Sequence, residues 1–266
     1  MNNLPASTGW DWLKQGIGLF RKQPAALTTL LFATVLFSLL LGLVPLFGPL
    51  LGPVLVPSLS MAVMQACLMI ENGERVTLSV LMTGFRKPAL AALCKVGLVY
   101  LGVWIVEMVV VALTLGPEFF QKVVESRQAA KDEAQIMAAA PLFMTFFCIM
   151  IVNMLIMITL YFAGPLTYWK HMSTGKALFY SFFAVVRSAR VFLVLLLAWF
   201  GLFFVLVWIA QLLFREIWIG QVVVMWVVFL FVLLLQCAMY VGYRTIFGKP
   251  EGSAQGSEPG SSSKGL

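Results

Sequence analysis

Apolar residues gather along this chain in long runs, and the runs are of two kinds. Six are almost continuously apolar, at about residues 24–47, 49–70, 88–115, 140–163, 190–213 and 219–243. A hydrocarbon layer of about 30 Å is crossed by about 20 residues of helix, and lipid offers backbone groups no other partner. Each run is therefore long enough to span. The pattern predicts an all-α polytopic membrane protein with six transmembrane helices in one membrane domain, residues 1–248.

The second kind is amphipathic. Ser7-Thr8-Gly9 opens a stretch that puts Trp10, Leu13, Ile17 and Phe20 on one helical face ahead of Arg21 and Lys22. Ser173-Thr174-Gly175 repeats the arrangement with Leu178, Phe179, Phe182 and Val186 ahead of Arg187, and a shorter copy runs from Thr77 to Arg86, Lys87 and Pro88. An opening Ser or Thr is suited to capping free helix amides, and a closing cation suits a helix C-terminus at an anionic surface. Gln65-Ala66-Cys67 and Gln236-Cys237-Ala238 also fall at similar depths in the second and sixth runs. The chain reads equally as three copies of a surface helix plus two spans, or as ordinary juxtamembrane amphipathicity. Three copies of that kind would share one orientation, unlike the inverted repeats of many transporters.

Composition supports the bilayer as solvent. The 266 residues are 61% hydrophobic and 11% charged, against about 25% charged in soluble domains. The net charge of +7 does not call for nucleic acid, because no nucleic-acid motif accompanies it and the cations sit between apolar runs. Of the eighteen Lys and Arg, only Lys122, Arg127, Lys131 and Arg215 fall on one side of the six runs; the other fourteen fall on the opposite side. The excess marks the cytoplasmic side, so both termini are expected there. Arg21, Lys22, Arg86, Lys87, Arg187 and Arg190 are the expected contacts with lipid headgroups.

No cleavable leader is expected at the N-terminus, and residues 249–266, rich in Gly, Ser, Pro and Glu, are expected to be a disordered cytoplasmic tail. Cys67, Cys94, Cys148 and Cys237 lie inside apolar runs without metal-site spacing, and His171 stands alone. The cysteines are read as small buried apolar side chains, and no cofactor or metal is expected.

A few polar residues interrupt the spans. Glu107 lies in the outer half of the third span, and a carboxylate in lipid is costly enough to mark a candidate site. Asn153, near the middle of the fourth, is within reach of it. Gln65 and Gln236 complete a candidate intramembrane polar network, read as helix-to-helix bonding, as a proton or ion relay at Glu107, or as the lining of a solute path. Pro45, Pro49, Pro53 and Pro57 recur every fourth residue, so the second span is expected to start late, kink or unwind near its outer end. Residues 118–139, which interleave apolar and charged positions, predict an outer surface helix or a partner-docking face. Trp199, Trp208, Trp218 and Trp226 are expected to anchor and pack the last two spans.

Gly9-Trp10-Asp11-Trp12 with Gly18-Leu19-Phe20-Arg21, the Pro45 to Pro57 segment, Gly164-Pro165-Leu166 and Tyr243-Arg244-Thr245-Ile246-Phe247 resemble an uncharacterised family of proteobacterial integral-membrane proteins. More distantly, the chain is similar to membrane domains that accompany some glycerophosphodiester phosphodiesterases. Neither resemblance implies catalytic residues, since that enzyme's chemistry resides in a separate soluble domain. With no nucleophile set, paired carboxylates or phosphate loop visible, the expectation is a non-catalytic inner-membrane protein. It would act through membrane lipids and through membrane-protein partners or copies of itself, as an accessory or assembly subunit or a lipid-interacting organiser. The alternative is a small permease or channel for a lipid-like or weakly polar solute.

Overall fold

A computed structural model describes residues 4–45, 47–115, 133–214 and 218–250. Among them the chain is all-helical. The nine α-helices are α1 (Thr8–Lys22), α2 (Pro24–Gly42), α3 (Phe47–Glu71), α4 (Ala89–Leu115), α5 (Glu133–Tyr161), α6 (Ala163–Trp169), α7 (Thr174–Arg187), α8 (Ala189–Leu213) and α9 (Trp218–Phe247), with a 3-10 helix, Leu78–Phe85, before α4. Six stretches are long and apolar enough to span: α2, α3, most of α4, residues 147–169 of α5 and α6, α8 and most of α9.

The fourth span therefore ends nearer Trp169 than residue 163. Gly164-Pro165 does not end the helical rod, because Pro165 sits in the first turn of α6, where its missing N–H leaves no bond unmade. Pro24 begins α2 in the same way. In the second span a late start and an unwound outer end are not found: α3 is helical from Phe47, with Pro49 in its first turn and Pro53 and Pro57 inside it, while Pro45 lies in the preceding turn. Pro57 is buried against α6, its Cβ 3.6 Å from where a Cβ on Gly164 would stand. Protein thus covers part of the backbone that the prolines leave short of donors.

Helix α3 is the axis of the bundle. It is buried along most of its second half, through Leu59, Met61, Ala62, Met64, Ala66, Cys67 and Ile70, and packs on α2, α4, α9 and the 3-10 helix. Two crossings depend on glycine. A Cβ on Gly97 of α4 would stand 1.9 Å from the Val54 carbonyl oxygen of α3, and one on Gly16 of α1 would stand 2.7 Å from the Ala238 nitrogen of α9. Backbones approach that closely only where no side chain intervenes.

The amphipathic stretches form as expected, but their faces and caps differ. None of Ser7, Thr77 and Ser173 makes a side-chain cap bond. Ser7 is already helical, and the first amides of α1 go to the Pro5 and Ala6 carbonyls at 3.0 and 3.1 Å; the Thr77 hydroxyl is bonded to Ser79 at 2.7 Å. Helix α1 buries Trp12, Leu13, Gly16 and Leu19 and leaves Trp10 40% exposed, because it packs under α8 and α9 rather than lying on lipid alone. Helix α7 buries Ala177, Ser181, Ala184 and Val185 and turns Phe179, Phe182 and Val186 outward. The third copy is a 3-10 helix rather than an α-helix. Gly84 abuts the Ser58 backbone of α3, and the turn ends before Pro88, which disfavours helix at Lys87.

Residues 118–132 and 251–266, which include most of the expected outer helix and of the tail, lie outside the described residues, as does the side chain of Trp218. The cysteine expectation holds for Cys67 and Cys237, whereas Cys94 is half-buried and Cys148 is exposed. Cys148 lines the open cleft between α4 and α5.

Candidate functional site

The four intramembrane polar residues do not form one network. Asn153 Nδ2 of α5 donates to Glu107 Oε2 of α4, joining the two spans past the midpoint of α4. That pair stands in the wall of a cleft of about 730 Å3 between α4 and α5, otherwise lined by apolar residues such as Val103, Val110, Ile149 and Ile156. Far from it, Gln65 Oε1 of α3 accepts from Trp169 Nε1 of α6 at 3.1 Å. Gln236 lies in a third place, a cleft of about 340 Å3 between α5, α8 and α9 that it shares with Tyr161 and Trp199. Its Oε1 and the Tyr161 hydroxyl are buried without a partner among the described residues, while Trp199 Nε1 donates to the Phe231 carbonyl at 2.8 Å. Three separated positions each lend polarity to an apolar surface, and among the described residues no one cleft is lined by all of them. Trp208 and Trp226, by contrast, face outward at 67% and 51% exposure.

A polar cluster that sequence reasoning did not single out closes one end of the bundle. Glu71, the last residue of α3, binds Arg244 Nη1 of α9 through Oε1 and accepts from the Tyr240 hydroxyl through Oε2 at 2.6 Å. Arg244 Nη2 then donates to Gln15 Oε1 of α1 at 2.5 Å. Three helices are thereby bound by one guanidinium, whose planar fork lets it serve two acceptors. Tyr240 and Arg244 sit four residues apart on one helical face, and that spacing opposite a terminal glutamate was the signal available in the sequence. Gln23 adds a further tie, donating to the Glu74 carbonyl at 2.7 Å and accepting from the Val76 amide at 3.0 Å.

Aromatic rings fill the space beneath this cluster. Phe162 stands 6.0 Å from Phe192, 6.0 Å from Tyr243 and 5.7 Å from Phe247, and Trp169 stands 5.0 Å from Tyr243. Trp12, 1% exposed, meets Phe192 edge-on at 5.3 Å and lies against Gly242. Behind them, Cys67 and Cys237 touch at 3.6 Å between sulfurs, so the two Gln-flanked cysteine motifs meet across α3 and α9. Three of the four stretches that carry the family resemblance thus converge on one packed end, and the fourth reaches it through Pro57 and Gly164.

The same end carries the cations. Arg21, Lys22, Arg86, Lys87, Arg187 and Arg190 are all exposed there. Lys170 donates to the Phe247 carbonyl at 2.8 Å. Arg86 and Lys87 enter a cleft of about 440 Å3 with Thr83, Tyr168 and His171. Around α7, Phe179, Tyr180, Phe182 and Phe183 project outward at 46–59% exposure, between Lys176 and Arg187.

No family model matches the chain, and no solved structure does. A curated protein does: the chain is 30% identical to a probable inner membrane protein of Burkholderia thailandensis over 277 aligned positions, which cover 94% of this chain and 95% of that protein. With six helices long and apolar enough to span and an alignment that takes in nearly the whole of both proteins, this chain is a multi-pass inner-membrane protein and belongs to the family of that Burkholderia protein.

Proposed function

We propose that this protein is a non-catalytic organiser of the inner membrane, acting through contacts with lipids and with the membrane proteins it accompanies. The observation that carries the reading is α7. A helix that buries two alanines, a serine and one valine and turns four aromatic rings outward is stable only where the outside is itself apolar. Basic residues flank that face, as they do an anionic lipid surface. The fourteen-to-four distribution of cations supports a cytoplasmic position for this end, and for both termini with it.

Extraction in native lipid discs, followed by mass spectrometry of lipids and proteins together, tests the proposal. Enrichment of anionic lipid or a stoichiometric membrane partner is expected. A chain recovered alone, in lipid of bulk composition, refutes it.

The cleft between α4 and α5 favours a second reading, a permease or channel for a lipid-like solute passing Glu107 and Asn153. Its mark is transport in proteoliposomes that Glu107→Leu abolishes; leakage equal to that of empty vesicles excludes it.

A further inference from the structure

The geometry points to a discrete phosphate-binding site at the basic end, in the cleft lined by Arg86, Lys87, Tyr168 and His171; it rests on the lipid-contact reading above and names the group that is held. Three observations carry it. Arg86, Lys87 and His171 converge on one cleft of about 440 Å3 that no carboxylate among the described residues lines. None of the three side chains makes an ion pair or hydrogen bond among the described residues, although the Arg86 carbonyl accepts from the Leu90 amide at 3.1 Å. Arg244 and Lys170, at the same end, are satisfied by Glu71 and by the Phe247 carbonyl. The cations of the cleft are therefore left without the internal partners that their neighbours possess.

The surrounding backbone adds to the same sign of charge. Ala89 and Ala92, in the first turn of the 27-residue helix α4, line the cleft, so the positive end of its dipole faces the space. His171 is delivered by the end of α6. Its backbone is left-handed, with φ of 49°, a common way to finish a helix, and the next amide returns to the Leu166 carbonyl at 3.4 Å. That turn separates His171, which lines this cleft, from Lys170, which is bonded to α9.

Two permanent cations, a helix N-terminus and the ring and hydroxyl donors of His171 and Tyr168 suit a compact tetrahedral oxyanion. Ala92, Trp169 and Met172 offer an apolar wall beside them, which suits the carbon chain of a phosphate ester. The cleft has room for a phosphate and a glycerol but not for acyl chains, which would lie in the surrounding bilayer. A lipid headgroup and a soluble phosphate ester share this chemistry.

The full chain in detergent can be titrated calorimetrically with dioctanoyl phosphatidic acid, dioctanoyl phosphatidylcholine and glycerol 3-phosphate. The phosphatidic acid is expected to saturate at one molecule per chain and to bind more tightly than the phosphatidylcholine. Removing both side-chain cations in R86Q/K87Q should raise its Kd at least about tenfold, whereas R21Q/K22Q, outside the cleft, should leave it within about twofold. With that contrast in hand, displacement of the lipid by glycerol 3-phosphate supports the site with a soluble ester as its natural ligand, and failure to displace supports it with a lipid. Unchanged binding in R86Q/K87Q, or equal loss in R21Q/K22Q, overturns the site. Equal affinity of the unaltered chain for the two lipids overturns it too, even if R86Q/K87Q does not fold. Native lipid discs separate the two proposals. If they remain enriched in anionic lipid while the site fails, the lipid-contact reading stands; if they carry neither enriched lipid nor a partner, both fall.

Discussion

Gly97 offers the sharpest test of how the spans are packed. A Cβ built there would lie 1.9 Å from the Val54 carbonyl oxygen, 2.6 Å from its carbon and 2.7 Å from its Cα, all backbone atoms of α3 that no rotamer change can remove. Ordinary contact begins near 3.4 Å, so Gly97→Ala requires α3 and α4 to part by about 1.5 Å. A gap of about 0.5–1 Å already forfeits a quarter to a half of the dispersion well at each atom pair, and overpacking of this kind costs about 1–3 kcal/mol. Against that stands the helix preference of alanine over glycine, worth about 1 kcal/mol in water. The net expectation is destabilisation by up to about 2 kcal/mol. Gly102, five residues further along α4, is the internal control, because a Cβ there meets nothing within 4 Å. Gly102→Ala should be neutral or slightly stabilising. Thermal unfolding of both variants in detergent, followed by loss of monodisperse protein, reads the contrast. Equal melting temperatures for the two, or a Gly97→Ala variant more stable than the parent, would refute the α3–α4 crossing.

Three further outcomes follow from the paired groups and the exposed rings. Arg244→Met and Glu71→Gln, each alone and together, should show a coupling of about 1–3 kcal/mol in a double-mutant cycle, since the pair is charge-assisted and only 27% and 17% exposed; additive effects would break the three-helix clamp. Glu107→Leu alone should cost about 1 kcal/mol by leaving Asn153 unpaired in the apolar cleft, and Glu107→Leu with Asn153→Leu should recover most of it; a double variant no better than the single one in the same melting assay argues against that contact. In single-tryptophan variants, brominated phospholipids should quench Trp208 and Trp226, 67% and 51% exposed, and leave Trp12, 1% exposed, bright; strong quenching of Trp12 would mean that α1 lies free on the membrane.

The membrane class, the six spans and the order of surface helix then two spans were legible from hydrophobic periodicity, because lipid forces every spanning segment to declare itself by length and apolarity. The same logic singled out Glu107 and Asn153, since a polar residue in such a run stands out from its neighbours. Periodicity cannot say which way an amphipathic helix turns when both of its surroundings are apolar. Trp12 rather than Trp10 points inward because Gly242 leaves room for its ring, and the aromatic face of α7 points outward because Ala177, Ser181 and Ala184 fit closely against the neighbouring helices. Distance along the chain hid the rest. Glu71, Arg244 and Gln15 are separated by up to 229 residues, Cys67 and Cys237 by 170, and the cleft at Arg86 exists only because α6 ends beside the start of α4. The amino-acid order by itself decided that this chain enters the bilayer and where it crosses. Which side chains meet was decided by helix packing, since close approach at glycines such as Gly97 and Gly16 sets crossings that no local pattern encodes.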